Sequence, residues 1–150
     1  MNDQTQTTND VLATNEVPSW FWIAAGLTLV WEVFGCFTYW MHVTTDPATL
    51  PLDQRAMREA GPMWMTAAYA VAVWVGLIGA VLLLMRRALA VPLLLVSLVA
   101  VVVQFSALLL VPELRDRTPS DAYLLPIIIL VACYAIYSLA RLAGRRGWLR

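Results

Sequence analysis

MWMTAAYAVAVWVGLIGAVLLLM (residues 63–85), RRAL (86–89) and AVPLLLVSLVAVVVQFSALLLV (90–111) are consecutive and decide the fold. Neither long run contains a charge, and only four residues with two arginines separate them. A helix of about 20 apolar residues spans the roughly 30 Å of hydrocarbon in a bilayer. Strands are excluded: lipid accepts only helices and closed barrels, and these runs lack the alternation of barrel strands. The pair therefore reads as a tight antiparallel hairpin of two membrane helices.

Two more runs of this kind flank the hairpin. Residues 20–41 follow Pro18 and Ser19, and residues 122–142 precede Gly144, Arg145 and Arg146. Composition agrees. The 150 residues are 61% hydrophobic and 13% charged, and mean hydropathy is +0.70. A soluble domain runs near 45–50% apolar and about 25% charged. The expected fold is all-α: a membrane four-helix up-down bundle (residues 18–150, helices about 20–41, 63–85, 90–111 and 122–142) with a disordered N-terminal tail over residues 1–17. That tail is polar, holds Asp3, Asp10 and Glu16 without a basic residue, and so lacks the positive start of a signal peptide. Between the first two spans, Pro51 to Ala60 has the marks of a short interfacial helix, opened by Pro51 and Asp53 and stopped by Gly61-Pro62.

Charge sets the expected orientation. All ten basic residues are arginine. Six of them (Arg86, Arg87, Arg141, Arg145, Arg146, Arg150) fall on the side of the termini. Arg55, Arg58, Arg115 and Arg117 fall on the other, diluted by Asp46, Asp53, Glu59, Glu113, Asp116 and Asp121. The positive-inside rule then places both termini in the cytoplasm of a bacterial inner (plasma) membrane. Trp20, Trp22, Tyr39, Trp40, Trp64, Tyr123 and Trp148 sit at span ends and read as interfacial anchors.

One ionisable residue lies at membrane depth. Glu32 falls near the middle of the first span, on a face with Thr28, Gly35, Cys36 and Tyr39. A charged side chain there costs about 3 kcal/mol to insert, so it turns inward. Ser97, Ala100, Gln104 and Ala107 make a matching face on the third span, and Gln104 is expected at the depth of Glu32, close enough to hydrogen-bond it. Ala68, Ala72, Gly76 and Ala80 give the second span a small-residue stripe for close helix approach. Two readings follow. In the first, the Glu32–Gln104 cluster fixes helix packing in a structural or accessory membrane protein. In the second, Glu32 couples protons to small-solute transport by a homodimer, with Trp31, Tyr39, Tyr69 and Trp74 lining an aromatic site and Tyr134 near it.

Other classes find no support. The single histidine, His42, stands at a span end, so neither a metal set nor a Ser-His-Asp triad can be assembled, and no cofactor motif occurs. The chain is not expected to be an enzyme. No basic stripe suggests nucleic acid, which leaves the lipid bilayer as the implied partner.

Several stretches carry a resemblance: WEVFG (31–35) with Tyr39, GPMW (61–64), WVGLIG (74–79), LLMRR (83–87), AVP (90–92), Ser97-Leu98 and RGWL (146–149). From Trp20 onward the chain resembles a family of short bacterial four-helix membrane proteins sometimes labelled "sugar transporter". That resemblance implies the fold but no activity. Such proteins often carry Asn where this chain has Glu32, and an Asn carries no proton. Locally, EVFG (32–35) is also similar to the Glu-Val-x-Gly of the small multidrug resistance transporters, in which that Glu supports proton-coupled antiport. The long first link departs from their pattern.

Overall fold

A computed structural model describes residues 17–150. The tail expectation for residues 1–16 lies outside them. Val17, also placed in that tail, instead packs against the hydrophobic core.

Among the described residues six α-helices follow in chain order: α1 (Ser19–Thr44), α2 (Leu52–Ala60), α3 (Met63–Leu84), α4 (Ala90–Leu110), α5 (Pro112–Arg117) and α6 (Leu124–Arg145). There are no strands among the described residues. Four of the helices, α1, α3, α4 and α6, are long and apolar enough to cross a membrane. The spans match the expected ones to within a few residues: α3 and α4 each end one residue earlier, and α6 starts two residues later. α1 begins one residue earlier and continues to Thr44, and α6 continues to Arg145 after a 3-10 turn at Ser120–Tyr123. The short helix expected after Pro51 is α2, with Pro51 just before its first turn and Gly61 at its end.

Packing follows chain order. The most extensive contact is α3 on α4, followed by α1 on α3 and α4 on α6. Small residues explain why α3 is central. A Cβ placed on Gly79 would come within 2.9 Å of Leu94 Cδ2 and Cγ and 3.4 Å of its backbone nitrogen. The α3 and α4 backbones can approach this closely only because Gly79 has no side chain. Gly79→Ala is expected to push the hairpin apart at a cost of about 1–2 kcal/mol. Reversible unfolding in mixed detergent micelles checks this, and an unchanged midpoint would contradict it.

Outward faces are apolar. Ile23, Leu27, Val30 and Phe34 of α1 and Leu124, Leu125 and Val131 of α6 are each more than half exposed. Water would penalise such a surface and hydrocarbon does not.

The end of the bundle carrying the α3–α4 turn, called here the hairpin end, is closed by two interlocking helix caps. At the first, Arg86 has φ 57°, Arg87 N–H donates to Leu82 O at 2.8 Å, and Arg86 N–H donates to Leu83 O at 3.0 Å. At the second, Gly147 has φ 69°, Trp148 N–H donates to Ala143 O at 3.0 Å, and Gly147 N–H donates to Gly144 O at 3.1 Å. Both are Schellman motifs, which satisfy the last carbonyls of a helix. Arginine pays a steric penalty at a positive φ that glycine does not. Here the conformation is held by bonds across the caps. Arg86 Nε–H donates to Trp148 O at 2.7 Å, Arg150 N–H to Arg86 O at 2.6 Å, and Ala88 N–H to Arg150 O at 2.8 Å.

Trp148 is therefore not the interfacial anchor expected from its place past the last span. It is 3% exposed and sits in a cluster with Phe21, Ala25, Leu83, Ala90, Leu94, Ala140 and Ala143. Its ring meets those of Trp20 and Phe21 edge-on, each at 5.7 Å between centroids. The sequence distance hid this, because a Trp beyond an apolar run reads first as a headgroup-level residue.

Candidate functional site: a buried polar seam and a polar chamber

Four polar side chains are buried in the apolar interior: Thr28 and Glu32 from α1, and Ser97 and Gln104 from α4. Between these helices runs the small-residue face of α3. Thr28 Oγ1 satisfies itself on Ala24 O of its own helix, at 2.9 Å. Ser97 Oγ donates across to Ala72 O of α3 at 2.7 Å, and Cys36 Sγ donates to Val73 O of the same helix at 3.4 Å. These bonds tie α1 and α4 to α3 from opposite sides.

Glu32 lies at the middle of α1 and is 6% exposed. Its carboxyl fills the space that Gly76 leaves open. A Cβ on Gly76 would come within 2.8 Å of both Glu32 Cδ and Ser97 Oγ. Gly76 is thus a notch in α3 that receives the Glu32 carboxyl beside the Ser97 hydroxyl.

The expected Glu32–Gln104 hydrogen bond does not form: neither side chain has a hydrogen-bond partner among the described residues. The reason is the stagger of the helices. Glu32 is 13 residues from the start of α1 and Ser97 is seven from the start of α4. Both side chains reach the Gly76 notch and so lie at one depth; at 1.5 Å per residue, α1 then begins about 9 Å earlier than α4 at the hairpin end. Ser97, not Gln104, is therefore level with Glu32, and Gln104 stands about 10 Å nearer the opposite end.

At that opposite end, called here the α2 end, a cavity of about 720 Å³ opens between α1, α2, α3 and α4. Its polar lining includes Thr38 and His42 of α1, Arg58 of α2, Thr66 and Tyr69 of α3, and Gln104 of α4. The hydroxyls of Thr38 and Tyr69 hydrogen-bond at 2.9 Å. The Tyr69 ring also meets Tyr39 edge-on at 5.2 Å and approaches His42 at 6.0 Å. Arg58 Nη1–H donates to Thr45 O at 3.1 Å, fastening α2 over the end of α1. Glu32 does not line this chamber. It lies six residues, about 9 Å, beyond Thr38 along α1.

Of the expected aromatic site, the structure brings together Tyr39 and Tyr69 only. Trp31 is half-buried and does not line the chamber. Trp74 is 48% exposed and Tyr134 62%, both on outward faces of their helices. A helical pattern tells which residues share a face but not which neighbour each face meets. That is why the sequence does not show that Trp74, two residues from the notch glycine, faces outward. Arg58 and His42 were missed as site residues because each reads singly as a solvated rim residue. The signal that could have found Arg58 was the expected α2 itself, a helix short enough to fold back over the bundle.

The fold and the site define an integral membrane protein with a packed polar seam and a polar chamber at one end. No family model, curated protein or solved structure matches the chain.

Proposed function

We propose that this is a non-enzymatic integral membrane protein that binds a small solute in the chamber at its α2 end, with the polar seam serving to hold α1, α3 and α4 in register. The observation that carries the solute reading is Gln104. It is 9% exposed and makes no hydrogen bond to any described residue, yet no buried side-chain nitrogen or oxygen of the described residues is left without access or a partner. Its amide therefore faces accessible space, and the space it lines is the chamber. A primary amide held without a protein partner is placed to bond water or a ligand. The volume also falls within the range of about 300–1,000 Å³ usual for small-molecule sites.

The packing role proposed for Glu32 is supported by the seat of its carboxyl in the Gly76 notch, outside the chamber lining; like Gln104 it has no hydrogen-bond partner among the described residues, so its carboxyl too keeps some access. The chamber is complete within one chain, so solute binding does not call for a second copy; a homodimer enters only for translocation. Arginine placement supports an α2 end facing away from the cytoplasm of a bacterial inner membrane.

Thiol labelling tests this reading. In a Cys36→Ala, Cys133→Ala background, Gln104→Cys is expected to react with a membrane-impermeant maleimide added to the α2 side of intact cells or oriented vesicles. Ser97→Cys, in the seam, is expected to stay unlabelled. A Gln104→Cys variant as inert as the seam position would mean that the chamber is closed to water and would remove the reading. Reaction from the opposite side only would reverse the orientation.

A further inference from the structure

The chamber wall carries an unbalanced charge. Among its lining residues are one arginine, Arg58, and the lone histidine, His42, with no aspartate or glutamate. The two ion pairs of the described residues are Arg55–Glu59 at 2.8 Å and Arg115–Asp116 at 3.7 Å, and neither includes Arg58. Arg55, one turn away on α2, shows the contrast: its guanidinium is exposed and already held by Glu59, which raises its pKa above the ordinary arginine value. Arg58 is half-buried, and its protein contact is a single neutral carbonyl, Thr45 O. A guanidinium has five N–H donors in a planar fork suited to carboxylate or phosphate oxygens. Withdrawing such a group from water without a counter-charge is unfavourable, and an anion arriving beside it relieves that cost.

The rest of the lining fits the same solute. Gln104 offers an amide N–H₂ and Thr66 a hydroxyl, both able to donate to oxyanion oxygens; Thr38 Oγ1–H is engaged on Gly35 O and Tyr69 O–H on Thr38 Oγ1. Met57, Met65, Leu108 and Leu114 form an apolar side of the cavity. A cationic solute would meet Arg58 as a like charge. A neutral polar solute would use the hydroxyls and the amide but leave the guanidinium uncompensated.

We infer that the chamber selects small solutes that carry an oxyanion, a carboxylate or phosphate, with an apolar portion attached; the inference rests on reading the chamber as a solute site. Arg58 is the charge-reading residue, and Gln104 donates to the anion from the floor.

Two thiol reagents of similar size and opposite charge test it: sulfonatoethyl and trimethylammonioethyl methanethiosulfonate. Each is applied to the Gln104→Cys variant in the background without Cys36 and Cys133, in neutral-lipid vesicles, and its rate is divided by its rate with a free thiol in solution. The normalised anion-to-cation ratio is expected to be about tenfold or more, the lower end of the concentrating effect of a charged cleft. It is expected to fall close to one when Arg58→Gln is added and to persist with Arg58→Lys. A ratio near one with Arg58 intact overturns the anion preference while leaving an accessible chamber. Failure of both reagents to react overturns the chamber reading, and this inference with it.

Protection of the same thiol identifies the source of the anion. Octanoate or inorganic phosphate slowing the reaction in phosphatidylcholine vesicles points to a free solute. Slowing by phosphatidylglycerol alone points to a lipid headgroup. Protection by none of the three counts against an oxyanion site.

Discussion

Trp148→Ala is expected to lower stability by about 3–5 kcal/mol, the cost of emptying a buried tryptophan site. The residue is 3% exposed and touches elements from three parts of the chain. Its ring packs edge-on with Trp20 and Phe21 of α1. The Arg146 guanidinium lies 5.2 Å from its centroid, within cation–π range. Its carbonyl accepts from the α3–α4 turn through Arg86. Trp148→Phe keeps an aromatic contact with Phe21 and is expected to lose less than half as much. Reversible unfolding in mixed micelles reads both values. A loss below about 1 kcal/mol for the alanine variant, the level of an ordinary surface change, would show that the C-terminal segment contributes nothing to the hairpin end.

Gly76→Val is expected to be the most disruptive change within the spans. Even the first added carbon would stand 2.8 Å from Glu32 Cδ and from Ser97 Oγ. Two further carbons force the α1 and α4 side chains out of the seam, at a cost of about 3 kcal/mol. The variant also reports on Glu32. If that carboxyl is what occupies the notch, Glu32→Ala should return part of the loss, and the double mutant should fall short of the summed single effects by about 1 kcal/mol or more. Strict additivity would mean that Glu32 and Gly76 do not share this space. The cycle is best followed together with the Gln104→Cys labelling rate. A seam change that leaves the chamber intact should leave that rate unaltered, since Glu32 lies about a turn and a half beyond the chamber floor.

The spans could be read from the sequence because each is a direct consequence of length and apolarity, and the hairpin because two arginines break an otherwise continuous run. The α2 helix was also readable, since Pro51, Asp53 and Gly61-Pro62 are local signals. What needed three dimensions was register between helices. Gln104 and Glu32 share a chemical affinity, but the 9 Å stagger between α1 and α4 puts Ser97 opposite Glu32 instead. Trp31 and Trp74 stand away from the chamber for a related reason. Being in a span says that a side chain is at membrane depth, and only packing says whether it meets another helix or lipid. Tyr39 and Tyr69 meet because they lie on the facing sides of α1 and α3, near a direct hydroxyl bond between Thr38 and Tyr69; Tyr69 lines the chamber and Tyr39 does not.

The interlocked caps at the hairpin end have a consequence for biosynthesis. The turn after α3 is completed by a carbonyl 62 residues further along the chain. At roughly 5–20 residues per second, translation supplies Trp148 about 3–12 s after Arg86. During that interval the first three spans can enter the bilayer, yet the arginine turn keeps a strained backbone and unanswered donors. The bundle is thus finished only when its last helix arrives, and a chain stalled before Trp148 would present an open end to the membrane's proteases.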